Sequence, residues 1–284
     1  MSRKLLCVFV GLLVVGAAAT AQATLIAYDG FSGYTSGNLG GQNGGSGWGA
    51  AWNTPSVGTW TAGTTGLSYT DTAGKVLVTQ PGCGIANNPY TGSTTYLVVT
   101  RPLSSSISSG TLYFSYLQYF VYDEGGKGPD YVGLLDDART SGNLVSPAWG
   151  GSYYWRLIQR NPSGDTGTAN FASAAKAGET HLVVVKIEFD YSGTTEKTSV
   201  YFDPLLSAEP ATPTATLTGR NTGTAAKWEL FLRGGNFANS QYIDEIRIGT
   251  TWGDVTPIVP EPGALVLLGC GLVGLLCYAW RKRR

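Results

Sequence analysis

The chain has 284 residues, with 19 Lys and Arg balancing 19 Asp and Glu, 40 glycines and one histidine. Its two ends hold six of the cations and one of the anions, so residues 24–257 keep 13 basic against 18 acidic side chains, a net of −5 that argues against nucleic acid as a partner. Of the four cysteines only Cys83 lies outside the apolar end segments, which excludes an intrachain disulfide and a Cys/His zinc cluster between them and favours a buried thiol.

At the N-terminus Arg3 and Lys4 precede an apolar run from Leu5 to Ala19, and Ala21-Gln22-Ala23 has the small-x-small form that signal peptidase cleaves. Residues 1–23 are therefore predicted to be a signal peptide, with the mature chain starting at Thr24. The stretch 24–257 shows no internal repeat or domain-breaking linker, and one large β-sandwich or barrel accounts for its length.

Within that stretch, short alternating apolar runs between Gly, Asn and Pro turns predict an all-β domain of two packed sheets. In chain order the predicted strands are Leu25–Asp29, Lys75–Gln80, Tyr96–Thr100, Thr111–Tyr122, Tyr131–Asp136, Tyr153–Gln159, residues 181–190, Thr198–Asp203, Lys227–Arg233 and Tyr242–Ile248. The clearest is 181–190, where His181, Val183, Val185, Ile187 and Phe189 take the core face and Lys186, Glu188 and Asp190 the wet one. On the long strand from Thr111, Tyr116 and Tyr122 share one face, and Tyr113 and Tyr119 the other.

Few residues carry a pattern that suggests chemistry. His181 is the sole histidine, so any histidine-based triad must use it, and its alternation with Val183 and Val185 favours a half-buried strand residue instead. Asp123-Glu124 and Asp136-Asp137 sit at strand ends, where adjacent side chains diverge, and read as exposed turn acids. No phosphate-binding glycine loop is present. Trp48, Trp52 and Trp60 cluster in Gly-rich sequence and are the candidates for stacking on sugar rings, against the alternative of core packing.

The last segment, 258–284, reads as a sorting tail. Val259-Pro260-Glu261-Pro262 is followed by 18 uncharged residues, 263–280, and then Arg281, Lys282, Arg283 and Arg284. As a helix the uncharged run covers about 27 Å at about 1.5 Å per residue, against a hydrocarbon core of about 30 Å, so it can just span a bilayer as a transmembrane helix. The four cations would hold its end in the cytoplasm and leave the domain outside.

This order of motif, helix and basic stop resembles the PEP-CTERM sorting signal. The resemblance implies a protein exported across the inner membrane of a Gram-negative bacterium, cleaved near Pro260-Glu261-Pro262 by exosortase, and delivered to the cell envelope, outer surface or extracellular matrix.

A second resemblance lies in residues 181–190, Ser199-Val-Tyr-Phe-Asp-Pro204, Tyr242-Ile-Asp-Glu-Ile-Arg-Ile-Gly249, and the opening Tyr28-Asp-Gly-Phe31 with the Gly-rich run to Trp48. These are similar to laminin-G-like and concanavalin-A-like jelly rolls. The resemblance implies a jelly-roll sandwich over 24–257 and raises structural calcium held by Asp29 and Asp244, on the first and last strands. Glycoside hydrolases that resemble family 16 carry Glu-x-Asp-x-x-Glu, whereas here Glu188-Phe189-Asp190 is followed by Gly193 in place of the second Glu, which argues against that mechanism. The expectation is thus a non-catalytic protein of adhesion, matrix structure or glycan binding, with extracellular polysaccharide as the ligand to test. The alternative is a polysaccharide hydrolase or lyase on the same fold.

Overall fold

The structure is a computed structural model. It describes residues 25–54, 59–87, 96–120, 131–146, 154–173, 178–233 and 240–260, with 271, 272, 274–276 and 278–282 of the tail. The signal peptide, Tyr122, Asp123, Glu124, Glu261, Pro262, Arg283 and Arg284 lie outside the described residues.

Among the described residues there are fifteen strands: β1 (Leu25–Asp29), β2 (Gly37–Asn38), β3 (Thr59–Gly63), β4 (Cys83–Asn87), β5 (Tyr96–Ile107), β6 (Thr111–Phe120), β7 (Tyr131–Leu135), β8 (Gly142–Ser146), β9 (Tyr154–Arg160), β10 (Thr166–Ser173), β11 (Thr180–Ser192), β12 (Thr195–Phe202), β13 (Ala215–Arg220), β14 (Ala225–Arg233) and β15 (Ser240–Gly249). They form two antiparallel sheets packed as a sandwich. One runs β13-β12-β11-β6-β15-β4-β3-β2 with β1 also on β15; the other runs β10-β9-β8-β7-β14-β5.

Alternation explains most of these strands. On β11, Val183, Val185, Ile187 and Phe189 face the second sheet, where Trp155, Leu157, Trp228 and Leu230 meet them in one core. Tyr116 is buried in that core, and Phe114 and Tyr116 pack edge-on against Trp228 at ring distances of 5.4 and 5.8 Å. Lys75–Gln80 does not form a regular strand. It makes isolated bridges, Thr70 with Val76 and Leu77 with Ile258, because it lies over the face of the nine-stranded sheet instead of joining its edge. The short strands β2, β3, β4, β8, β10 and β13 are rich in Gly, Thr, Ala and Asn, and their apolar contrast is too low for periodicity to find them.

The second face of β11 is wet only over its C-terminal half. Leu182 and Val184 join Tyr113, Leu117, Tyr201, Tyr69, Leu77, Leu206, Trp252 and Val255 in a second core. The nine-stranded sheet is therefore covered on its outer side by the segment 67–77, by Leu206 and by residues 252–258, including a one-turn helix Trp252–Val255 started by a Thr251/Asp254 capping box. The unbroken run Leu182-Val183-Val184-Val185 is the sequence trace of a strand buried on both faces.

β15 is not the uninterrupted strand its sequence suggests. Strict alternation would set Ile243 opposite Ile246 and Ile248, yet all three lie in the same core. A bulge between Asp244 and Arg247 resolves the conflict, with Glu245 in the left-handed region at φ 53°. The bulge also divides the outer edge of β15. Ser240–Ile243 pairs with β4, and Ile246–Gly249 pairs with β1.

Candidate functional site

The inward positions of β5 are Leu97, Val99, Arg101 and Leu103, so its alternation carries a guanidinium into the core. Arg101 is 1% exposed and forms an ion pair with Asp29 of β1, itself 0% exposed. Five hydrogen bonds use the guanidinium fully: Nε donates to Ala50 O, Nη1 to Asp29 Oδ2 and Tyr34 Oη, and Nη2 to Asn43 Oδ1 and Gly44 O. Asp29 also accepts from the Phe31 amide, Tyr34 Oη and Trp52 Nε1 at 2.9, 2.6 and 2.9 Å. Burial pushes its pKa upward, while Tyr34 and Arg101 draw it back.

The Gly-rich segment wraps this pair. Ser46 exchanges two backbone hydrogen bonds of 2.9 Å with Tyr28, which brings Gly45 and Gly47 onto the β1 backbone. Both have left-handed φ, and a Cβ at Gly47 would stand 1.8 Å from Ile26 O, so only glycine fits. Trp48 and Trp52 lie against the guanidinium, 4.9 and 5.8 Å from their ring centroids. The glycan-stacking expectation is corrected for Trp52 and Trp60, which are each 1% exposed, so their faces are spent on the interior. Trp48 is half-buried, with Arg101 over its ring.

Asp244 is fully buried, and its oxygens accept from Leu67 N at 2.7 Å and Glu245 N at 2.7 Å. Glu245 accepts from Tyr28 Oη, Gln80 N and Arg247 Nη2. The fold does bring Asp29 and Asp244 into electrostatic reach of each other. These residues do not fit the calcium site inferred for them. Arg101 neutralises Asp29, and both carboxylates are occupied by protein donors. Among the described residues no group of three or more His, Cys, Asp or Glu side chains is arranged to hold a metal ion. Cys83 is buried nearby, and burial followed by the Asp244 charge raises its thiol to about 11.

Surface grooves also lie among the described residues. One, of about 460 Å³, is lined by Ser68, Thr70, Thr72, Glu179, His181 and Asp203, among others. His181 Nδ1 bonds Asp203 Oδ2 at 2.7 Å, and the ring stacks on Phe202 at 4.8 Å and meets Trp155 edge-on at 5.9 Å. Its Nε2 is buried. Another groove, of about 270 Å³, includes Lys186, Glu188, Lys197, Tyr201 and Glu209. Here Lys186 pairs with Glu209 and Lys197 with Glu188, each at 3.1 Å, while Tyr113 and Tyr201 donate to Glu209. Burial opposes ionisation of Glu209, but the two tyrosines and Lys186 hold its pKa below the ordinary value. Asp136 is a turn residue bonded to Thr140 and Ser141, and Asp137 is exposed and paired with Lys227.

The chain leaves the domain at residues 257–259, strapped to 76–78 by Val78 N to Pro257 O at 2.8 Å and Val259 N to Val76 O at 2.9 Å. Residues 259–284 match the PEP-CTERM protein-sorting motif. That motif marks an exported protein. In the tail that follows, residues 271–272, 274–276 and 278–281 are helical, with Leu272, Leu275, Leu276, Tyr278 and Trp280 all exposed. Among the described residues no helix is long and apolar enough to cross a membrane.

No curated protein matches the chain. Among solved structures it is similar to the Botulinum Neurotoxin Type G receptor binding domain, with 10% identity and TM-score 0.48 over 81% of this chain and 49% of that one. It is also similar to the carbohydrate binding module CBM66 from Bacillus subtilis, with 11% identity and TM-score 0.40 over 70% and 94% of the two chains. The T. cruzi calreticulin globular domain gives 12% identity and TM-score 0.39 over 76% and 89%. The chain thus spans about half the length of the neurotoxin domain.

Arg101 and Glu245 carry the site and were missed by motif reasoning. Arg101 left one signal, a cation at an inward position of an apolar strand. Replacing Arg101 with Met should strand a buried charge on Asp29 and lower stability by about 3–5 kcal/mol, with partial recovery in the Arg101→Met/Asp29→Asn double variant. Urea unfolding of the four proteins measures this, and additive losses would refute the pairing.

A pH dependence follows from Asp244. Burial first, and then the Glu245 charge, raise its carboxyl to about 9 from 3.8. The folded state keeps a proton that the unfolded chain releases, so this contribution is complete below pH 3.8 and declines as pH rises toward about 9. Urea midpoints of the wild type should fall across that window, and Asp244→Asn, neutral throughout, should fall less. Equal declines would show that Asp244 is already ionised.

Proposed function

We propose that the chain is exported across the inner membrane of a Gram-negative bacterium and held by residues 263–280 as a transmembrane helix. Exosortase then processes it at Pro260-Glu261-Pro262, and the envelope or extracellular matrix receives a concanavalin-A-like jelly roll that binds or builds without catalysing a reaction. The observation that carries the reading is the sorting motif at 259–284, directly after a two-sheet β-sandwich. Exposed leucines along the tail support membrane insertion, since in water they would stand unburied.

The non-catalytic part rests on how the polar side chains are spent. General acid/base work needs a carboxylate or imidazole free to exchange a proton with a ligand. In the grooves Glu188 and Glu209 are each tied to a lysine, and His181 is held by Asp203 between aromatic rings. Adhesion or matrix contact with extracellular polysaccharide would use the Lys186/Glu209 groove, beside exposed Tyr191, where paired charges offer hydroxyl partners.

Replacing Pro260, Glu261 and Pro262 by Ala should leave the full-length protein in the membrane fraction, read by immunoblot of fractionated cells. Unchanged maturation would remove exosortase processing from the reading. A polysaccharide-binding screen of the whole protein should show retention without chain cleavage, weakened by Tyr191→Ala. Cleavage of the polysaccharide would overturn the non-catalytic assignment.

A further inference from the structure

The folded domain ends one residue before the sorting motif's first proline. Val259 N still donates to Val76 O, and Pro260, Glu261 and Pro262 are all that separate Val259 from the apolar run beginning at Gly263. Four Cα steps reach at most about 14 Å fully extended. The headgroup layer on one side of a bilayer takes up about 5–8 Å of that. Whatever its orientation, the strapped corner must stay within a side chain or two of the lipid surface while the tail is embedded.

That corner also carries exposed apolar side chains. Among the described residues of the domain, the exposed large apolar side chains are Val76, Tyr154, Tyr191, Leu205 and Val259; Val76 and Val259 lie on the strap itself, and Leu205 precedes Leu206, which packs in the second core with Leu77 and Ile258. Leu77 and Ile258 pair across the strap, and their side chains lie in or against the second core, so the alternating neighbours Val76 and Val259 face outward. Leu205 belongs to the adjoining loop. Its neighbour Leu206 is buried, with N donating to Asp71 Oδ2 at 2.8 Å and O accepting from Trp252 Nε1 at 3.1 Å. Asp71 in turn anchors the tight turn that delivers Val76.

We propose that Val76, Leu205 and Val259 form a membrane-docking patch, by which the domain lies on the outer leaflet of the bilayer until the tail is cut. This rests on the reading that residues 263–280 are embedded in the membrane. The short tether makes association of the patch with lipid intramolecular, so three modest apolar side chains suffice where a free domain would not bind. Cutting the tail removes both the anchor and the high local concentration of lipid, and the same patch then lets the domain go. The orientation sets the six-stranded sheet, on the far side of the sandwich from the strap, toward the exterior.

The test uses the full chain in vesicles of phosphatidylethanolamine and phosphatidylglycerol, with Cys7, Cys270 and Cys277 replaced by Ser and Cys83 left buried. A fluorophore is placed singly at Val76→Cys, Leu205→Cys, Tyr154→Cys or Leu275→Cys, and quenching by nitroxide-bearing lipids is measured. Tyr154 is the reference for the far face, since its β9 neighbours Trp155 and Leu157 point into the core. Labels at 76 and 205 should be quenched several-fold more than the label at 154, with the label at 275 strongly quenched. Quenching at 275 with equal, weak quenching at 76, 205 and 154 would overturn docking and leave the membrane tail standing. Absence of quenching at 275 would overturn the embedded tail, and docking with it.

Discussion

The buried ion pair between Asp29 and Arg101 joins the first strand of one sheet to a strand of the other, and the N-terminal third of the fold is organised around it. Removing two charges from water costs several kcal/mol for each ion, and attraction offsets that only if the remaining hydrogen-bonding capacity is used. Here it is used completely on the arginine side, and Asp29 accepts from four donors. The acceptors Asn43, Gly44 and Ala50 come from the Gly-rich segment, so the same contact that neutralises the charges also dictates the path of a loop with little apolar content of its own. Trp48 and Trp52 close over the guanidinium and keep water from competing.

A second constraint sits on the last strand. The order Tyr242-Ile-Asp-Glu-Ile-Arg-Ile cannot place all three isoleucines in the core without an irregularity, and the bulge that permits it puts Glu245 in a conformation that favours glycine. Three partners hold Glu245 there: Tyr28 from β1, the Gln80 amide from the covering segment and Arg247 from its own strand. The bulge is thereby the point at which β1, β15 and the covering segment meet. Asp244, enclosed beside it, bears the electrostatic cost in a carboxyl displaced far upward.

The covering layer connects fold to destination. It buries Leu182 and Val184 on the outer side of β11, and its final stretch, 257–259, runs straight into the sorting motif. No slack chain lies between the packed strap and the motif, so the arrangement that completes the second core also fixes where the sorting tail leaves the domain.

Much of this could be read from residues in order. The tail was legible because its signal is local: a short motif, an uncharged run and four cations need no knowledge of the fold. Strands β1, β7, β9, β11, β14 and β15 were legible because their side chains alternate in contrast, and the core face of β11 was assigned residue by residue. The fate of polar and aromatic residues was not. Trp52 and Trp60 suited a sugar platform as well as a core, and the decision lay with Asp29 and Arg101, 72 positions apart in sequence. Asp203 for His181, Glu209 for Lys186 and the bulge at Glu245 were likewise set by packing between distant segments. By itself the sequence determined where the chain is sent and that it folds as β-sheet, since both follow from short-range pattern. The tertiary structure alone decided which charges are neutralised and which aromatic faces are buried, because those depend on partners that only folding brings within contact distance.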